Sequence, residues 1–281
     1  MAHHHPANLV NLGTVDYREA LALQRSLADA VGRGAIPDTV LLLEHPPTIT
    51  LGRRTEQGEV HVPEGADVEV VEVDRGGKST YHAPGQLVCY PILDLARHGQ
   101  DVKRYCRDLE EALIRTMAAF ELTATRIEGL TGVWLESPPR KIASIGIHLT
   151  RWISTHGYAL NVDLDPSPFT DWITACGLGG YRFTSMATEL ERPLSVDQVR
   201  PAAALAFADV FELSFEEMTE PGSLSEPGSR VPREAAAVQL MNLVQDRSQV
   251  PRSAAASTTS RAVAALASGA RAGRAAHPGR R

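Results

Sequence analysis

The chain of 281 residues is 43% hydrophobic and 22% charged, with a formal net charge of −6. That is the composition of a soluble globular protein with material for one large domain or two small ones. No apolar run approaches the roughly 20 residues that span a bilayer, and MAHHHPANLV lacks a charged-then-apolar signal form, so neither a membrane span nor export is expected. Three cysteines, Cys89, Cys106 and Cys176, show no CxxC spacing; neither a zinc site nor a disulfide framework is expected, and the protein is expected to be cytoplasmic. The charge is uneven. Beyond residue 220, nine arginines face only Glu226, Glu234 and Asp246. The tail is therefore at +6, which leaves about −12 on residues 1–220 and argues against nucleic-acid binding through bulk charge.

In chain order, Tyr17, Ala20, Leu21, Leu23, Leu27 and Val31 recur at helical spacing behind Asp16, a candidate N-cap. They predict a helix over 15–33, closed by Gly32, Gly34 and Pro37. Residues 39–43 and 48–51 read as strands interrupted by Pro46 and Pro47, and 68–73 as another. RGGKSTYHAPGQ, residues 75–86, reads as a loop before the buried strand LVCYPILDL. A second helix is predicted over 101–122, with Cys106 on its apolar stripe. Short strands around Gly129 and Gly132 follow. Residues 142–149 and 157–162 then read as a hairpin, so not every strand is parallel. A short helical piece spans 169–173. Ser195 and Gln198 form a capping-box pattern before a third helix over 199–211, in which Pro201 belongs to the first turn or marks a kink. Past residue 217 the chain turns rich in Ala, Ser, Gly, Pro and Arg, the composition of a disordered tail over 221–281.

The candidate chemistry lies in three places. The loop at 75–86 packs Arg75, Lys78, Thr80 and His82 around Gly76 and Gly77, without a GxGxxG or GxxxxGK[ST] phosphate cradle. Cys176, in a Gly-rich stretch and off any apolar periodic face, is the one cysteine placed to react, provided a cation or helix N-terminus makes it a thiolate. Lys141 opens the small-residue strand IASIGIH and is either a solvated flank or an inward-facing cation. His45, His82, His148 and His156 read first as satisfied core residues. These features support a cysteine-nucleophile acyl-transfer enzyme; a serine hydrolase lacks its GxSxG elbow.

LLLEHPPTITLGR, RGGKSTYHAPGQLVCYPILDL, GVWL, RKIASIG, HGYALNVDLD and ACG occur in that order. Over roughly residues 10–213 the chain resembles the lipoyl (octanoyl) transferase family of lipoate biosynthesis, with Ala83 where the family's loop usually carries glycine. The resemblance implies an α/β (α+β) fold like that of biotin and lipoate protein ligases, with a large mixed sheet, a smaller sheet and flanking helices. It implies a catalytic domain over 1–220, no cofactor and no metal. It implies transfer of octanoyl from octanoyl-acyl carrier protein to the lysine of lipoyl domains, in 2-oxoacid dehydrogenase complexes and glycine cleavage H protein, through an acyl-thioester on Cys176. Lys141 would lower the thiol pKa and shuttle protons. Arg75, Gly76, Gly77, Lys78, Ser79, Thr80, Tyr81 and His82 would form the substrate loop, and Ser144, Ile145, Gly146, Gly157, Tyr158 and Ala159 would line the acyl pocket. Backbone N–H groups near Cys176 and in the Gly76–Gly77 loop are candidate oxyanion donors. Arg53, Arg54, Arg75, Lys78 and Arg140 would make a docking patch on an otherwise acidic body. Two rival readings remain: an ATP-dependent ligase of the same fold, and a non-catalytic fatty-acyl binding module.

Overall fold

The structure, a computed structural model, describes residues 4–173 and 181–218. Cys176 and the predicted tail therefore lie outside the described residues. In chain order the elements are β1 (His5–Thr14), α1 (Tyr17–Gly32), β2 (Asp38–Glu44), β3 (Thr48–Leu51), β4 (Glu69–Glu72), β5 (Thr80–His82), β6 (Gln86–Ile92), α2 (Val102–Ala118), β7 (Thr125–Ile127), β8 (Leu130–Leu135), β9 (Arg140–Thr150), β10 (Ile153–Asn161), α3 (Pro168–Asp171), β11 (Arg182–Phe183), α4 (Met186–Leu190), α5 (Val196–Val210) and β12 (Leu213–Met218).

The helices start where their caps predict. Asp16 accepts from the backbone N–H groups of Arg18 and Glu19, Asp101 from those of Lys103 and Arg104, and Ser195 with Gln198 closes a full capping box. Each satisfies N–H groups that have no partner inside the helix. The box sets the start of α5 at Val196 rather than Val199, so Pro201 lies inside a helix that continues to Val210. The loop expected over 75–86 is also shorter: Thr80, Tyr81 and His82 pair with Thr50, Ile49 and Thr48.

A nine-stranded mixed sheet runs β12-β1-β2-β6-β10-β9-β8-β7, with β11 beside β9; β4-β3-β5 form a second, three-stranded sheet. β1 and β12 escape sequence reading because they pair in parallel across the full domain, Ala7 opposite Phe215. β6 is buried along its whole length, and its alternate side chains divide between two cores. Leu87 and Cys89 join the packing of α2 and α5 on one face, while Val88, Tyr90 and Ile92 join that of α1 on the other. Burying each large aliphatic side chain in these layers contributes about 1.5–3 kcal/mol. β9 and β10 form the predicted hairpin; Arg151 and Trp152 both sit at positive φ, as a two-residue turn matching strand twist requires. Among the described residues, no helix is long and apolar enough to cross a membrane.

Candidate active site

A cavity of about 430 Å³ is walled by β9, β10, the loop after β4 and the first turn of α1. Its lining brings together Arg75, Gly76, Gly77, Lys78, Ser79, Thr80, His82, Lys141, Ser144, Ile145, Gly146, Gly157, Tyr158 and Ala159. Tyr81 is set apart: it points into a separate core with Ile49 and Phe169.

The loop is built around Arg75, which is buried. Its Nε donates to Thr50 Oγ1 and its Nη2 to Thr50 O and Oγ1. Nη1 donates to Gly76 O at 3.1 Å and Lys78 O at 2.7 Å. Those bonds commit the fork of a side chain that carries five donors. Gly76 N–H donates to Ile147 O at 2.8 Å and ties the loop to β9. This removes Gly76 from the oxyanion role that sequence offered it, since its donor is already used. The expected docking patch is corrected in the same way. Arg75 is interior, Lys78 Nζ lies 2.6 Å from the buried Glu59 carboxylate, and Arg140 pairs with Glu189. Arg53 and Arg54 are the members of that group left exposed.

Lys141 is different in kind. No hydrogen bond or ion pair engages its ammonium among the described residues; its Nζ lies 5.3 Å from the centroid of the Trp134 ring. Burial, reinforced by the Arg75 cation and opposed by Glu110, lowers its pKa to about 8. Its path is set by Gly132 on β8, at φ 115°. A Cβ there would lie 2.8 Å from Lys141 Cε and 2.6 Å from Ala143 O. Glu110, buried on α2, accepts from Gly132 N–H at 3.2 Å and so holds this backbone in place.

His82 belongs to a polar chain behind the loop. Asn161 Nδ2 donates to Thr184 O, Gln86 Nε2 donates to Asn161 Oδ1, and Gln86 Oε1 is 2.7 Å from His82 Nδ1. Gln86 Oε1 only accepts, so His82 Nδ1 is the donor and the lone pair of the neutral ring is on Nε2. Burial drives its pKa well below the usual histidine value. His45 Nδ1 donates to Val15 O and its Nε2 accepts from Tyr90 O–H; burial takes its pKa to about 4. His148 is half-buried against Thr150 Oγ1. Ala83 is buried, and its φ is not positive, so an alanine fits where the family's loop usually carries glycine.

Several cavity residues were not singled out from sequence. Tyr17 and Val88 read as core stripe and buried strand, yet both border the cavity, as does Tyr90. Cys106, read as a buried hydrophobe, is half-buried and also borders it. Periodicity identifies the inner face of an element but not which inner positions meet a void.

Residues 16–208 match the lipoyl protein ligase A/B catalytic domain. An octanoyltransferase from Mycobacterium tuberculosis is 51% identical over 197 residues, 69% of this chain and 83% of that one. One from Chloroflexus aggregans is 46% identical over 209 residues, 72% and 94% of the two chains. Among solved structures, a lipoate-protein ligase A bound with ATP superposes with a TM-score of 0.64 at 17% identity, covering 84% of this chain and 94% of that one. The bipartite lipoate protein ligase of Thermoplasma acidophilum also gives 0.64, at 17% identity, covering 85% and 93%. The family match and these relatives place the chain in the lipoyl protein ligase A/B catalytic domain family.

Proposed function

We propose that this acyltransferase moves an octanoyl group from octanoyl-acyl carrier protein to the lysine amine of a lipoyl domain through a thioester on Cys176. The observation that carries the mechanism is Lys141, a cavity-lining ammonium with a pKa lowered to about 8 and no ion pair among the described residues. Near neutral pH such a group both donates and accepts protons readily.

In the first half-reaction the Cys176 thiolate attacks the carrier thioester, an oxyanion forms and collapses, and the carrier thiolate leaves with a proton from Lys141. In the second, the neutral lysine of the lipoyl domain attacks the acyl-enzyme; its proton passes to Lys141 and the Cys176 thiolate is released. Arg75 fastens the loop to Thr50 of β3 and Gly76 N–H ties it to β9, while the small Ser144 and Ala159 of the cavity lining leave room for the acyl chain. The exposed Arg53 and Arg54 receive the acidic carrier; Arg53→Glu with Arg54→Glu raises the KM for carrier protein and spares kcat, and an unchanged KM removes them from docking. A cytoplasmic setting, where acyl carriers and 2-oxoacid dehydrogenase lipoyl domains meet, fits this chemistry.

The test is an intact mass of the protein after mixing with octanoyl-acyl carrier protein in the absence of nucleotide. One octanoyl adduct, mapped to Cys176 and discharged by a lipoyl domain, is the expected result. Modification of the lipoyl domain only when ATP and free octanoate are supplied would instead identify a ligase.

A further inference from the structure

Helix α2 buries a carboxylate. Glu110 is 2% exposed and shares the inner face of the helix with Tyr105, Leu109, Ala112 and Leu113. Packing alone is served there by an aliphatic side chain, because a buried charge is costly even when paired. Both oxygens are engaged. Oε1 accepts from Gly132 N–H at 3.2 Å. Oε2 accepts from Arg107 Nη1 at 2.7 Å and from Arg126 Nε at 3.1 Å. Arg126 is itself held, its Nη2 donating to Arg107 O and to Glu111 Oε2.

Gly132 is where this network meets the chemistry. A Cβ built on it would lie 2.8 Å from Lys141 Cε and 3.4 Å from Lys141 Nζ. The lysine stem therefore runs along the Gly132 backbone, and Glu110 holds that backbone from the side of α2. The carboxylate also acts on the ammonium through space, against the burial and the Arg75 charge that lower the Lys141 pKa.

We propose that Glu110, which is not part of the cavity lining, is a positioning residue for the proton-transferring lysine: it clamps Gly132 so that β8 guides the Lys141 side chain, and its negative charge stabilises the ammonium form. The inference rests on reading Lys141 as the acid–base group. The charges around the carboxylate set the sign of each test. Arg107 faces it from α2 and Arg126 from β7. Lys141 on β9 feels it together with Arg75 of the loop. Cys106, four residues earlier on α2, has its pKa raised by burial and then by Glu110. A carboxylate that merely fastens α2 to β7 and β8 would affect melting and leave the titration of Lys141 where it is.

The chain has three lysines, Lys78, Lys103 and Lys141, so ¹³C labels at lysine Cε give three NMR signals. That of Lys141 is the one absent from Lys141→Arg, and its titration is followed in the free enzyme. Wild type is expected to titrate at about 8. Glu110→Gln keeps an acceptor for Gly132 N–H but removes the charge, and is expected to lower the midpoint by about half a unit to one unit. Arg126→Gln removes a cation that neutralises the carboxylate, and is expected to raise it. Glu110→Asp keeps the charge but draws it back by one methylene. Its single-turnover discharge of octanoyl-enzyme to a lipoyl domain is expected to slow about tenfold, the scale of a small misplacement at a reacting group.

Shifts of opposite sign separate charge from loosened packing, which would move both variants alike. A midpoint shared by wild type, Glu110→Gln and Arg126→Gln overturns the electrostatic role of Glu110, and an unchanged discharge rate in Glu110→Asp overturns the clamp. If Glu110→Gln does not fold, the sign of the Arg126→Gln shift decides alone. A wild-type midpoint at the ordinary lysine value overturns the reading of Lys141 itself, and the role of Glu110 with it.

Discussion

Arg75 and Lys141 are two cations on one cavity, the first buried and the second half-buried, and they are held in opposite ways. Arg75 directs its guanidinium to Thr50, Gly76 O and Lys78 O, so its charge maintains the loop. Lys141 is fixed by shape, threaded past Gly132 and beneath Trp134, and among the described residues no carboxylate pairs with it. A cation with committed donors builds structure. One that is desolvated and left unpaired has a pKa near working pH and is free to move protons. The two also interact, since the Arg75 charge is the second cause of the lowered Lys141 pKa, after burial.

The largest expected effect lies at the second cation. Lys141→Met should lower kcat/KM for octanoyl transfer by roughly 10²–10⁴, the usual worth of a positioned acid–base group, without unfolding the protein. Its stability effect should run the other way. Lys141 is lowered from 10.5 to about 8 in the folded state, so the unfolded chain binds more protons between those values and wild-type stability rises with pH across that window. Below about pH 8 the variant is spared this penalty and should melt higher, with the advantage shrinking as pH rises from 8 toward 10.5. Melting curves at pH 7 and pH 10 read this directly.

Arg75→Lys should reverse the pattern. It keeps the charge but loses the fork, leaving buried carbonyls short of donors at about 1–3 kcal/mol each. A loss of about 2–4 kcal/mol in urea unfolding is expected, with activity falling through a raised KM as the loop loosens. A variant as stable as wild type would show that the loop does not depend on the guanidinium. Gly132→Ala should be milder in stability, about 1–3 kcal/mol for its strained φ, but should displace Lys141 and lower kcat about tenfold, the scale of a small misplacement at a reacting group. An unchanged kcat would show that Gly132 does not set the path of Lys141.

The smallest effect is general. His45, lowered from 6.5 to about 4 by burial, is neutral in the fold, and burial also lowers His82 and His156. The unfolded chain binds more protons as pH falls below 6.5, so stability should decline from pH 6.5 toward pH 4. A melting temperature that stays flat across that interval would contradict neutral burial.

How much of this was readable in the sequence follows from the range of the forces involved. Caps and stripes are local, so Asp16, Ser195 and the faces of α1 and α2 announce themselves. The pairing of β1 with β12 joins residues more than two hundred positions apart, and α4, with five residues, is too short to show a period. In the site, residues of the loop at 75–82 and of the segments at 141–147 and 156–159 border one cavity. Tyr17, Glu110 and Gly132 were not singled out as site residues, because each matters through what tertiary packing sets beside it. His156 shows the limit of a residue-type prior: its expected reading as a satisfied core histidine holds for Nε2 but not for Nδ1.

The most direct test of the central claim is the pH dependence of a single turnover, in which pre-formed octanoyl-enzyme discharges to a lipoyl domain. The rate constant should rise with pH more steeply below an apparent pKa of about 8, the value to which burial and Arg75 bring Lys141, than above it, where only deprotonation of the incoming lysine still adds, and that steeper limb should vanish in Lys141→Arg. The same limb in that variant would contradict the account, because the proton would then be passing through another group.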